Sequence, residues 1–163
     1  FNLHYDLNRE QFAQDSIEML RSSGIDFARL RTEQAIPHHL FASTLMGSGL
    51  LCNPNLVWVT FGGGVDFGYI VGLFEPLPPD QVRFFERLNT YFVNYFDIKE
   101  MKRELIAGGL ERTIAYCNLR RIGTMHQAGS DSYMTVAAFF SLTQRLMSNR
   151  LVDSPSDLFS VYN

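Results

Sequence analysis

From Phe1 to Leu7 apolar and polar residues alternate, with Phe1, Leu3, Tyr5 and Leu7 on one side and Asn2, His4 and Asp6 on the other. That period of two predicts a strand. Asp15 is placed to cap a helix from Ser16 to about Ser22, with Glu18 as the second half of a capping box and Gly24 as its stop. Pro37 stands at the first position of a further helix, whose Phe41, Leu45 and Met46 form an apolar stripe before Gly47 and Gly49. Leu56 to Phe61 is β-branched and aromatic, bounded by Asn-Pro-Asn and a glycine run, and predicts a buried strand. Asp66 then opens a short helix through about Phe74. Pro76-Leu77-Pro78-Pro79 makes a rigid turn, and Asp80 caps a helix with Val82, Phe85, Leu88 and Phe92 on one face.

Tyr95-Phe96 predicts a short strand, followed by a helix from Asp97 to about Leu105. Gly108-Gly109 breaks the chain, Leu110 to about Asn118 is helical, and a last helix runs from Gly129 to about Met147. The tail from Ser148 to Asn163 is polar and reads as irregular. Strand, helix and strand followed by helices suit an α/β sheet covered by helices. No repeat or linker divides the 163 residues, a length that can enclose one substantial core, so residues 1–163 read as a single domain.

Composition narrows the functional classes. A hydrophobic share of 46% and a charged share of 19% are globular values, and 14 Phe promise a well-filled interior. A formal charge of −3 argues against a module that grips nucleic acid by charge alone. Cys52 and Cys117 lack metal-ligand spacing and read as reduced thiols. No apolar run is long enough to span a bilayer, which predicts a soluble protein with no membrane partner.

The chemistry-bearing stretch is His126-Gln127-Ala128-Gly129-Ser130-Asp131, taken with Val65-Asp66-Phe67-Gly68-Tyr69. A carboxylate can ligand a divalent cation while a histidine nearby deprotonates a water. By themselves the residues leave plainer readings open. Asp66 can be an N-cap, Asp131 a first-turn carboxylate favoured by the helix dipole, and His126 a loop histidine. His38-His39 are adjacent and so point to different sides of a helix, a poor metal pair. The local concentrations of positive charge are Lys99, Lys102 and Arg103, with Arg120 and Arg121, which read either as a solvated face or as the lining of an RNA path.

Taken with Ala13-Gln14-Asp15-Ser16-Ile17-Glu18, Trp58-Val59-Thr60-Phe61, Gly108-Gly109-Leu110 and Arg121-Ile122-Gly123, these motifs make the chain closely resemble the CAF/Pop catalytic subunits of the eukaryotic carbon-catabolite-repressor–NOT complex. The resemblance implies a ribonuclease H-like fold and a poly(A)-specific 3′ exoribonuclease of the DEDD group. Asp66 matches the third acidic position, Asp131 the fourth, and His126 the histidine that acts as general base. It further implies two Mg²⁺ or Mn²⁺ ions, single-stranded poly(A) RNA as substrate, 5′-AMP as product, and the NOT scaffold and a second deadenylase as partners. Cytoplasm and nucleus are the expected locations. The family's opening Asp-x-Glu pair has no counterpart here, so the chain reads as an N-terminally incomplete ribonuclease domain with an uncovered sheet edge. Relatives usually carry His where Gly62 stands and Tyr at Val65. Those departures keep a second reading in play, a catalytically degenerate adaptor of the same complex.

Overall fold

In the computed structural model, which describes residues 1–101 and 108–149, the run that opens at Leu56 straightens into strand β1 (Trp58–Thr60). It pairs in parallel with strand β2 (Tyr95–Asp97), matching Trp58 with Tyr95, Val59 with Phe96 and Thr60 with Asp97. The chain divides into two compact units. Both strands belong to the second, made of Trp58–Gly63 and the described residues of Tyr95–Gly123 and of the chain from Ala128 onward. The first unit holds Phe1–Val57, Gly64–Asn94 and Thr124–Gln127.

The second unit adds helices α6 (Ile98–Met101), α7 (Gly109–Tyr116) and α8 (Ala128–Asn149) to its strand pair. Met134, Ala138 and Leu142 recur every four residues along α8 and are all buried, the stripe by which a long helix meets a core. Ile98, Cys117, Ala138 and Leu142 form the centre of that core, with Val59, Phe61, Leu119 and Phe139 packed against it. Phe96 of β2 meets Phe139 edge to face at 5.2 Å between centroids. Gly108, at φ 134°, turns the chain into α7.

The first unit holds helices α1 (Gln14–Ser22), α2 (Phe27–Leu30), α3 (His38–Gly47), α4 (Gly64–Gly72) and α5 (Gln81–Tyr91). Phe67 and Val71 of α4 and Leu88 of α5 are buried together with Phe92, and the rings of Phe67 and Phe92 lie 4.6 Å apart. Asp80 caps α5 as expected, its Oδ1 accepting from the Arg83 N–H at 2.9 Å. Among the described residues no helix is long and apolar enough to cross a membrane. Cys52 and Cys117 are both free thiols.

Several elements differ from the sequence expectations. The alternating segment at Phe1–Leu7 makes one isolated parallel bridge, Leu3 to Ile36, in place of a strand. Alternation supplies a face for burial, but a strand also needs a neighbour's N–H and C=O groups in register. Helix α1 starts one residue ahead of Asp15, with Ala13 at the N-cap and no side-chain cap, so Asp15 acts through the first-turn dipole. Pro37 is the N-cap of α3, one position earlier than expected. Of the expected face of α5, Leu88 and Phe92 are buried, while Val82 is 70% and Phe85 39% exposed. Helix α2 was not expected; Asp26 nucleates it by accepting from the N–H groups of Ala28 and Arg29. The helix expected from Asp97 begins at Ile98, and its expected end at Leu105, like the tail beyond Asn149, lies outside the described residues.

Burial of Tyr95, on β2, pushes its phenol above the ordinary value of about 10. The folded state therefore keeps a proton that the unfolded state releases. That stabilisation is fully present below pH about 10 and is lost as pH rises through the folded pKa. Denaturant titrations at pH about 8 and about 11 are expected to show a drop in stability that Tyr95→Phe makes smaller. An equal drop in the variant would place the alkaline sensitivity elsewhere.

Candidate functional site

The glycine run ahead of Asp66 takes its shape from a residue 35 positions away. Asp97, the last residue of β2, accepts from the Gly62 N–H on Oδ1 and from the Gly63 N–H on Oδ2, both at 2.7 Å. Its Oδ1 also takes the Lys99 N–H at 2.9 Å, which starts α6. One carboxylate thus satisfies three backbone donors, the concave arrangement that main-chain N–H groups offer an anion. Gly62 sits at φ 69°, a left-handed conformation that glycine adopts without steric cost. At Gly63 an added Cβ would fall 2.5 Å from the Thr60 Cβ, so the turn has no room for a side chain. Sequence reasoning missed Asp97. Its signal was an Asp standing between a strand and a helix, the position of an N-cap.

Asp66 lies in the first turn of α4, two residues after the helix begins at Gly64, and is exposed. It is a first-turn carboxylate, not the residue that opens the helix. His126 is exposed and stands outside any helix, at φ 63°. That left-handed conformation is uncommon for a residue with a side chain, though His tolerates it better than most. The next residue anchors this turn within the first unit, since the Gln127 amide donates to the Ser23 carbonyl at 2.8 Å.

The boundary between the units falls inside the histidine–aspartate motif. Asp66 and His126 belong to the first unit and Asp131 to the second. What the second unit brings to Asp131, in the first turn of α8, is a cation. The Arg121 guanidinium donates from Nη2 to Asp131 and from Nη1 to Glu111, forming ion pairs with both carboxylates. Its Nη2 also reaches the Ser130 Oγ at 3.2 Å, and Ser130 in turn donates to the Ile122 carbonyl at 2.6 Å. The Arg121 side chain is 15% exposed and that of Asp131 34%.

The other sequence-predicted cations divide three ways. Lys99 and Arg120 are exposed, Arg121 is held between two carboxylates, and Lys102 and Arg103 lie outside the described residues. Carboxylate oxygens are the right donors for a hard divalent ion such as Mg²⁺. Among the described residues, however, no three His, Cys, Asp or Glu side chains stand together so as to hold a metal ion. The first unit also contains a mainly apolar cavity of about 810 Å³, lined by Leu3, Tyr5, Phe41 and Leu73 and by Val65 and Tyr69, the sequence neighbours of Asp66. Burial, and then Glu10 and Tyr69, push the Tyr5 phenol above its ordinary range.

Comparisons with known proteins bear on the assignment. No family model matches the chain. It is 42% identical over 144 residues to an Arabidopsis thaliana protein named probable CCR4-associated factor 1 homolog 7, covering 86% of this chain and 52% of that protein. With CCR4-NOT transcription complex subunit 7 of Caenorhabditis elegans it shares 36% identity over 153 residues, covering 89% and 49%. The structure superimposes on S. pombe Pop2p in its Mg²⁺- and Mn²⁺-bound form with a TM-score of 0.85 and 35% identity, over 93% of this chain and 62% of that one. The RNase domain of yeast Pop2 follows with a TM-score of 0.78 and 24% identity, over 90% and 58%, a likeness of fold alone. The expected ribonuclease H-like α/β fold is borne out by these neighbours. The chain spans about half the length of the relatives it matches.

Removing the Asp97 carboxylate leaves three N–H groups without their partner. Asp97→Ala is therefore expected to cost roughly 2–4 kcal/mol. Gly63→Ala should cost about 1–3 kcal/mol by overpacking against Thr60, while Gly64→Ala, with nothing within 4 Å of the added carbon, should be near neutral. Urea unfolding of the three variants checks the order, and a harmless Gly63→Ala would show that the turn has room to move.

Proposed function

We propose that the chain belongs to the CAF1/Pop2 family over the portion it spans and is part of a poly(A)-specific 3′-to-5′ exoribonuclease, an mRNA deadenylase subunit of the CCR4–NOT complex. The observation that carries this reading is the likeness to Pop2p over 93% of the chain, combined with the family's histidine and two of its acids at Asp66, His126 and Asp131. In this reading Asp66 and Asp131 give carboxylate oxygens to Mg²⁺ or Mn²⁺, which when bound lower the pKa of water and stabilise developing charge. His126 takes the proton of the attacking water, and it is exposed to solvent. The leaving product is 5′-AMP. Lys99 and Arg120 are the exposed cations proposed to meet RNA phosphates, with Arg121, Lys102 and Arg103 completing the proposed set.

The partners proposed are the NOT scaffold and a second deadenylase, in keeping with the complex named for the C. elegans relative. The proposed locations are cytoplasm and nucleus. A second reading, a non-catalytic adaptor in the same complex, is favoured by Gly62 and Val65, where the resemblance leads one to expect His and Tyr.

The test uses end-labelled oligo(A) with Mg²⁺ or Mn²⁺. This chain alone is expected to leave the label intact, because Asp66 and Asp131 supply too few anionic ligands for two cations. A product that also carries the Asp-x-Glu pair should produce a ladder from the 3′ end. In that product His126→Ala should slow turnover roughly 10²- to 10⁴-fold with metal affinity kept, and Asp131→Asn should lose both together. Loss of metal by His126→Ala would overturn the assignment of the base. Equal rates on oligo(A), oligo(U) and oligo(C) would remove the poly(A) assignment, and NOT-scaffold binding without any shortening would favour the adaptor.

A further inference from the structure

The histidine proposed as the base sits in an exposed turn, in a conformation that residues with side chains seldom hold unaided. His126 has φ 63°, and Thr124, Met125 and Gln127 beside it are exposed as it is, so no buried side chain pins the turn. These four residues belong to the first unit, although Gly123 before them and Ala128 after them belong to the second. What holds such a turn is polar contact at its ends. Thr124 makes one at the start. At the other end the Gln127 Nε2 donates to the Ser23 carbonyl at 2.8 Å, a bond between residues 104 positions apart. Ser23 is the C-cap of α1, where carbonyls run out of donors within the helix. It is buried, at 8% exposure, so its carbonyl would be costly to leave unmet. Its hydroxyl and its N–H both turn back onto the Met19 carbonyl, at 2.9 and 3.0 Å, which locks the acceptor to the helix end. Gly24 follows at φ 94°, and a Cβ added there would meet the Gln127 Nε2 at 3.6 Å, a measure of how closely the amide lies over that end.

We infer that Gln127 is a positioning residue for His126: its carboxamide fastens the histidine turn to the end of α1 and so fixes where the imidazole can reach. The histidine side chain is short, and the backbone at its Cα decides the reach of the ring. A left-handed residue with a side chain persists only where its surroundings hold it there. Gln127, next in the chain, supplies that hold. An amide suits the place, because it offers a donor without setting a charge beside the imidazole, whereas a lysine would add a cation next to a group that must accept a proton and a glutamate would offer no donor. A base has to lie within hydrogen-bond reach of the proton it takes, so a loosened turn lowers the share of molecules ready to react. The contact itself transfers no proton. The inference rests on the reading of His126 as the general base and deepens it by naming what orients that base.

The present chain, isotopically labelled for NMR, is compared with Gln127→Ala and with the equal-sized Gln127→Glu, each checked for folding by circular dichroism. The heteronuclear NOE of the His126 amide is expected to be that of ordered backbone in the parent chain and to fall to that of a mobile loop in both variants, while amides of α8 beyond Asp131 keep theirs. A His126 amide that is already mobile in the parent, or unchanged in both variants, would overturn the clamp. The second arm uses the longer product that carries the Asp-x-Glu pair. There Gln127→Ala should lower kcat on oligo(A) roughly 3- to 10-fold, the scale of one hydrogen bond, with KM kept. Because Gln127 acts through His126, the same change should cost nothing further in a His126→Ala background. A loss that persists in full on that background would place the action of Gln127 elsewhere and overturn the proposal with the base reading intact. A His126→Ala product that keeps its rate would overturn the base reading, and the role given to Gln127 with it.

Discussion

The Asp97 carboxylate organises the second unit around a single point. Parallel strands carry evenly spaced hydrogen bonds and need a long crossover between them, so a pair of only three residues each is weakly held by its own ladder. Asp97 lengthens that hold. It stands opposite Thr60 at the end of the register, takes the two N–H groups that leave β1, and at the same time takes the N–H that opens α6. The end of β1, the end of β2 and the start of a helix therefore meet on one side chain. Gly62 and Gly63 are the counterpart of that arrangement. A carboxylate can gather successive amides only where the backbone turns sharply and no Cβ intervenes, and the closeness of Thr60 to Gly63 shows how little room is left.

This gives Gly62 and Gly63 a structural role that the family comparison alone would not suggest. Where the resemblance leads one to expect a His at Gly62, the chain has a left-handed turn closed by an internal anion. The loss of side chains on the approach to Asp66 is matched by a backbone held from a distance.

Charge is handled in the same economical way. Asp97 is satisfied by amides, whereas Asp131 is satisfied by a guanidinium, and the difference matters because amides cannot leave and a guanidinium can. A carboxylate held by the main chain belongs to the fold.

Much of the element order could be read directly from the chain. Helices α3, α5, α7 and α8 and both strands fall within a few residues of where periodicity, Asp80 and the glycines place them, because capping and hydrophobic spacing act over a few residues at most. The candidate acids and histidine were legible too, from the wording of two short motifs. Local sequence did not determine which apolar positions would find a partner: Leu88 and Phe92 are buried while Val82 and Phe85 on the same predicted face are exposed, and Phe1–Leu7 alternates yet forms a single bridge. Nor could it show that Asp97 reaches Gly62 across 35 positions or that Arg121 chooses Glu111 and Asp131 among the available acids. The chain alone specifies residue types and short-range periods. Contacts between residues far apart depend on how the elements pack, and only the tertiary structure decides them.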